Sequence, residues 1–234
     1  MFDVTPPSTE QLRCSPSARP EREALARHPV LIALPQALQD AAHAQGRLIH
    51  QATGQRRTTG GSLGFLIEGA LAVYDERNLA CIERLGTGAT FGWETALTTR
   101  TSEQELLALL DTSWLAIPAA LPAQVMGISW VERMFGRHAL DRLRRIQSLS
   151  ACQVVHAVSA RTATLIQQLA TSSATEEIRT TQAALADALG VQRTSVNAAI
   201  KDLEAAGAVR VRRGSLRITC ASTLACFACG CGCG

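Results

Sequence analysis

Residues 181–218 read TQAALADALGVQRTSVNAAIKDLEAAGAVRVRRGSLRI. Thr181 suits the N-cap of a short helix, because its hydroxyl can accept from a first-turn amide. Leu185 and Leu189 are four apart and share one face of that helix. Gly190 follows as a stop, since glycine enters the left-handed backbone of a sharp turn without penalty. A second helix starts near Gln192, with Val196, Ile200 and Leu203 as its apolar stripe and Gly207 at its end. Two short helices joined by a glycine turn form a helix-turn-helix, whose second helix enters the major groove of DNA.

The residues that follow predict a wing. Val209 and Val211 alternate with Arg210 and Arg212, Arg213-Gly214-Ser215 turns the chain, and Leu216 and Ile218 alternate on the return strand. Residues 179–217 hold seven Lys/Arg against three Asp/Glu, while the whole chain carries only +3. The basicity is therefore local, as a phosphate-binding face requires.

Around this stretch the chain has room for two small domains, with 234 residues, 47% hydrophobic and 18% charged. Aromatics make up only 4%, so the cores must be aliphatic. No apolar run reaches the roughly 18 residues of a membrane span. The N-terminus lacks a basic segment followed by an apolar run, so a cytoplasmic location and reduced thiols are expected. No Ser/His/Asp set, paired carboxylates, phosphate loop or nucleotide fingerprint is present, which leaves an enzyme reading without residues.

In chain order, residues 1–27 are rich in Pro, Ser, Thr and charge and read as a flexible arm. Residues 35–44 predict a short helix with Leu38, Ala41 and Ala42 inward. Short apolar segments follow at 48–49, 63–67, 71–74, 79–85, 106–110 and 114–117, broken by turns such as 75–78. That spacing predicts an all-β barrel or roll over 28–127. Residues 128–158 predict one proline-free helix of about 45 Å. Its apolar residues Val131, Phe135, Leu140, Leu143, Ile146 and Leu149 recur every three to five positions. A long helix joining two domains with one apolar side predicts pairing with a second copy, through Val131, Phe135, Leu143, Ile146 and Leu149. Residues 159–224, opening with a helix over 162–170, complete the DNA-binding domain, and 225–234 form a cysteine-rich tail.

Several of these segments resemble the Crp/Fnr superfamily of bacterial transcription regulators. The likeness is carried by Leu185-Ala186-Asp187-x-Leu189-Gly190-Val191, Arg193-Thr194-Ser195-Val196 and Leu203-x-x-x-Gly207, and, in the β-domain, by residues 65–73, 85–92 and 111–118. The resemblance implies an α+β chain with an N-terminal β-roll like that of cyclic-nucleotide-binding domains, a long dimerisation helix and a C-terminal winged helix-turn-helix. It implies a homodimer on palindromic double-stranded DNA, with RNA polymerase a further candidate partner. By its place in the motif Arg193 reads a guanine, which its planar fork suits. Gln192, Thr194 and Asn197 lie beside it, within reach of bases or phosphates. Thr181, Gln182, Ser195 and Lys201 match positions that usually touch phosphate, and Arg212 and Arg213 belong to the wing. Thr194 and Ala198 replace the family's usual Glu and second Arg, so the half-site should differ from the usual one.

Nucleotide-binding relatives follow Phe-Gly with Glu and later carry Arg-Ser/Thr-Ala. Here Trp93 follows Phe91-Gly92, and Ser102-Glu103-Gln104 stands at the later position, with Arg100 nearby. A glutamate there repels a phosphate, so cyclic AMP is not the expected signal. His28, His43, His50, His138 and His156 are scattered without haem-ligand spacing. The eight cysteines are uneven: Cys14, Cys81 and Cys152 stand alone, and five fall between Cys220 and Cys233. Cys226, Cys229, Cys231 and Cys233, with Cys220 upstream, form Cys-x-x-Cys and Cys-x-Cys steps suited to soft ions such as Cu(I) and Zn(II) or to a redox response, and less well to an iron–sulfur cluster, whose usual spacing is Cys-x-x-Cys repeated. The competing reading is a thiol- or metal-binding protein that uses this cluster, with DNA binding secondary.

Overall fold

A computed structural model describes residues 28–74, 80–98, 104–173, 175 and 177–231. The N-terminal arm, the 75–78 turn, Arg100, Ser102, Glu103 and Cys233 lie outside the described residues. Two short helices, α1 (Pro29–Ala33) and α2 (Gln36–Gln45), open the structure. The buried His28 side chain caps α1, and Leu38 and Ala42 are the buried residues of α2.

The β-domain holds β1 (Arg47–Gln51), β2 (Arg56–Thr58), β3 (Ser62–Glu68), β4 (Ala70–Tyr74), β5 (Cys81–Gly86), β6 (Thr90–Phe91), β7 (Glu105–Ala108) and β8 (Thr112–Pro118). They form two four-stranded sheets, ordered β1-β8-β3-β6 and β2-β7-β4-β5. The pairing is antiparallel, with Phe65 opposite Leu115 and Leu71 opposite Leu85. Inward residues of both sheets, among them Leu66, Leu71, Val73, Phe91, Leu106 and Trp114, make one aliphatic-aromatic core. The predicted roll is present. β2 and β6 escaped the sequence reading because one is three exposed residues and the other only two residues long.

After α3 (Leu121–Met126) comes the long helix α4 (Ile128–Val155), then α5 (Val158–Ser172). The helix expected over 128–158 stops at Val155, and the following one starts four residues before the expected Thr162. His156 (φ −108°, ψ 143°) and Ala157 (φ −61°, ψ 154°) are extended and form the joint. Val154 and Val155 are 88% and 72% exposed. Two adjacent β-branched residues with nothing to pack on weaken the last turn.

The C-terminal domain adds β9 (Glu177–Ile178), α6 (Gln182–Leu189), α7 (Arg193–Ala205), β10 (Val209–Arg212), β11 (Ser215–Ile218) and α8 (Ala221–Phe227). The wing strands lie in a sheet ordered β10-β11-β9. Its core continues into the β-domain: Ala70, Tyr74, Leu107 and Leu109 belong to the same buried cluster as Leu165, Leu185, Val196 and Leu224. Among the described residues no helix is long and apolar enough to cross a membrane.

Candidate nucleic-acid interface and cysteine cluster

Thr181 accepts a hydrogen bond from the Ala184 amide at 3.0 Å and caps α6. Gly190 ends α6 at φ 63°, ψ 39°, where a β-carbon would be strained. That turn sets α7 across α6. Val196, Ile200 and Leu203 are almost wholly buried on the inner side of α7. The four-residue spacing of Arg193, Asn197 and Lys201 runs these three along the side next to that stripe, turning progressively away from it toward Lys201. Gln192, Arg193, Thr194 and Lys201 are exposed, while Ser195 and Asn197 are half-buried on the flank. Gln182 Nε2 donates to Asn197 Oδ1 at 3.2 Å, so the first helix orients a side chain of the second.

The wing closes the other side. Val211 N donates to Glu204 Oε1 at 2.9 Å, which ties β10 to the end of α7. Ser215 Oγ donates to Glu177 Oε1 at 2.7 Å and fixes the turn that carries Arg213. Thr181, Gln182, Arg193, Arg212 and Arg213 line one open groove of about 380 Å³. Ser195 and Lys201 are not among its lining residues. Three guanidinium groups around a groove beside a helix N-terminus form an anion-attracting surface with donors aimed outward.

The cysteines divide. Cys229, Cys231 and Cys152 place their sulfurs within 4.8 Å of one another. Cys220 instead precedes α8 and bonds Ser222 and Thr223, and Cys226 is exposed on α8. The structure thus brings two of the five expected thiols together and sets Cys220 and Cys226 apart. It adds Cys152 from α4, which the sequence reading left as an isolated cysteine. Its position three residues beyond the inward Leu149 was the available signal, because that spacing keeps it on the same helix face.

The cluster is built from three elements. Cys152 is 1% exposed. Its sulfur lies 3.4 Å from that of Cys229. Thr164 of α5 lies with Oγ1 3.1 Å from Cys229 Sγ and accepts from the Cys229 amide at 3.0 Å. Ser148 of α4 donates to the Cys231 carbonyl at 2.8 Å. Gly230, at φ 70°, allows the reversal that returns Cys231 toward Cys229. Burial pushes the Cys152 thiol up to about 12, reinforced by its neighbour Cys229. Burial also opposes ionisation of Cys229, but its hydrogen bonds, first that of Thr164, outweigh it and lower its pKa. The three residues could hold a metal ion.

Inside the β-domain, Glu83 of β5 is 2% exposed and receives Arg142 Nε at 3.0 Å and Arg145 Nε at 2.9 Å. Arg142 Nη1 also donates to Glu94 Oε1 at 2.8 Å, and Gln104 Nε2 donates to the same oxygen at 2.6 Å. Trp93 is buried and donates through Nε1 to Thr90 Oγ1 at 2.9 Å. These contacts engage Trp93 and Gln104, which stand at positions where the resemblance expects nucleotide-holding residues.

The description of a Crp-like helix-turn-helix domain matches residues 160–227. No curated protein matches the sequence. Solved structures share the fold over most of the chain. A regulator from Eubacterium rectale assigned to the Crp/Fnr family is 18% identical, with a TM-score of 0.64 over 85% of this chain and 97% of that one. FixK2 from Bradyrhizobium japonicum is 14% identical, with a TM-score of 0.61 over 78% and 97%. CLP from Xanthomonas campestris, a regulator responsive to c-di-GMP, is 16% identical, with a TM-score of 0.59 over 80% and 100%. Residues 160–227 thus form a Crp-like helix-turn-helix domain, and the chain as a whole shares its fold, a β-roll followed by a long helix and that domain, with solved regulators of the Crp/Fnr family.

Proposed function

We propose that the protein acts as a homodimer on a two-fold symmetric DNA site, and that its affinity for that site answers to a metal or redox signal and not to cyclic AMP. The observation that carries the DNA reading is the groove in which Arg193 of the recognition helix meets Arg212 and Arg213 of the wing. Arg193 reads a base edge, with Gln192, Thr194 and Asn197 beside it. Thr181, Gln182, Ser195 and Lys201 hold the phosphates, which fixes register without specifying sequence. Pairing through α4 is supported by Leu140 and Leu143, 61% and 51% exposed on a helix whose opposite side is covered. The engagement of Glu94 by both Arg142 and Gln104 supports a signal other than a cyclic nucleotide.

Selection from a random duplex pool tests this reading. The expected product is a palindrome with half-sites one helical turn apart, about 10–10.5 base pairs between centres. Cyclic AMP added to the gel shift should leave the affinity unchanged. A pool that returns no enriched sequence, or an affinity that rises with cyclic AMP, refutes the proposal.

A further inference from the structure

The cysteine cluster has features beyond three thiols in proximity. Each ligand comes from a different part of the chain's path: Cys152 from the last turns of α4, Cys229 from beyond α8, and Cys231 from the turn after Gly230. Tail backbone groups are held by Thr164 and Ser148, so Cys229 and Cys231 are positioned independently of any ion. Arg84 of β5 lines one cavity with Ser148 and Cys231, and its Nη1 is buried without a hydrogen-bond partner. A buried guanidinium nitrogen with no partner is costly unless negative charge stands near it. Thiolates at Cys152 and Cys229 would supply that charge.

We infer that Cys152, Cys229 and Cys231 form a three-thiolate site for a soft, thiophilic cation of the Cu(I) kind. Thiolate ligands select Cu(I), Zn(II) and iron–sulfur clusters. Structural Zn(II) takes four ligands in a tetrahedron and an iron–sulfur cluster takes four cysteines. Among the described residues the cluster offers three. Three thiols release three protons as Cu(I) enters, and the resulting centre carries −2, which the Arg84 guanidinium offsets.

The site also sits at the joint of the molecule. Cys152 lies one turn before His156, where α4 hands over to α5, and Thr164 belongs to α5 itself. Loading the site would therefore add a Cys152 link from α4 to a tail already held on α5 by Thr164, and so stiffen the joint that sets the DNA-binding domain against the long helix. This consequence rests on the regulator reading above, whereas the binding of the ion does not.

The test uses the full chain, reduced and anaerobic, titrated with Cu(I) against a competing chelator and separately with Zn(II). One Cu(I) per chain is expected, with three sulfur neighbours by X-ray absorption. Cys152→Ser and the tail variant Cys231→Ser should each lose stoichiometric binding, while Cys220→Ser and Cys226→Ser keep it. Circular dichroism of Cys231→Ser should match wild type, which separates ligand loss from unfolding. Cu(I) should shift affinity for the selected DNA site in wild type and not in Cys231→Ser. Unchanged Cu(I) binding by Cys152→Ser and Cys231→Ser, two sulfur neighbours only, or stoichiometric uptake of Zn(II) without Cu(I) overturns the site. Sequence-specific DNA binding together with any of these results leaves the regulator reading standing. Cu(I) binding without sequence-specific DNA binding leaves the site standing and removes the regulator.

Discussion

Arg56 of the β-domain reaches Asp187 of the helix-turn-helix with Nη2 2.8 Å from Oδ2. The same guanidinium pairs with Glu105 at 3.1 Å and lies 4.6 Å over the Tyr74 ring. It is the charged rim of the contact between the two domains. Its partners are open to solvent, with Arg56 36% and Asp187 48% exposed, so screening leaves the pair about 0–1 kcal/mol. The apolar layer beneath should dominate. In urea denaturation Asp187→Ala is expected to cost under about 1 kcal/mol, and Leu109→Ala, which opens that layer, about 2–5 kcal/mol. Equal losses would mean that the ion pair, and not the apolar layer, holds the domains together.

Glu83 presents a different balance, because its carboxylate is buried and both its oxygens are taken by arginines of α4. Removing one partner of a buried pair costs about 3–5 kcal/mol, since the other charge stays behind without compensation. Arg142→Met should fall near the lower end, because Arg145 still serves Glu83. Adding Glu83→Gln should restore part of the loss. Stability measured for the two single variants and the double gives the coupling directly, and strict additivity would contradict the pairing.

His138 of α4 stands 3.4 Å from Thr90 Oγ1 and close to the Trp93 ring. Burial, then Arg145 and Arg142, push its pKa from 6.5 down to about 4, against the opposing pull of Glu94 and Asp141. The folded protein thus keeps His138 neutral where the unfolded chain would protonate it. Its contribution to stability is complete above pH 6.5 and is lost progressively as pH falls toward 4. His138→Gln should flatten that part of the stability–pH curve. His28, also lowered by burial, leaves a residual slope in the variant.

Much of the helix-turn-helix was legible because local chemistry decides it. Thr181 caps, Gly190 turns, and Val196, Ile200 and Leu203 fall at helical spacing. The β-roll was legible as alternation wherever one face is buried, and illegible at Arg56–Thr58, which is exposed throughout. The end of α4 escaped because no proline or glycine marks it. The thiol cluster escaped in part because 77 residues separate Cys152 from Cys229, and only the packing of α4, α5 and α8 brings them together. Spacing within the tail pointed to Cys226, but α8 carries that thiol to the exposed side.

The same division reassigns the long helix. Val131 is fully buried, Leu149 is 9% exposed, and Phe135 packs on the core beneath α1 and α2. Of the five residues expected to pair two copies, these three are engaged within the chain, while Leu143 is exposed and Ile146 half-buried. Leu143→Glu should therefore yield a folded monomer by sedimentation, its thermal midpoint near that of a dilute wild-type sample. Val131→Glu should fail to fold, because it places an unpaired charge at a fully buried position. A dimeric Leu143→Glu would remove α4 as the pairing helix.

The recognition side chains make separable predictions at DNA. A guanidinium set bidentate on a guanine discriminates by about 1–3 kcal/mol, so Arg193→Ala should relax one position per half-site and leave the others readable. Lys201 lies two turns along the same helix face, outside the groove that gathers Arg193 and the wing. Its loss should weaken all sequences alike and lower the salt slope by about one unit per site. Arg213 sits at the wing turn, held by Ser215 on Glu177, and should behave as Lys201 does. Ser215→Ala, which frees the turn without removing a charge, should weaken binding while leaving the salt slope unchanged. Binding constants across a salt series, on the selected site and on single-base variants of it, distinguish these outcomes. Full discrimination by Arg193→Ala would mean that another residue, with Gln192 or Asn197 nearest, reads the base.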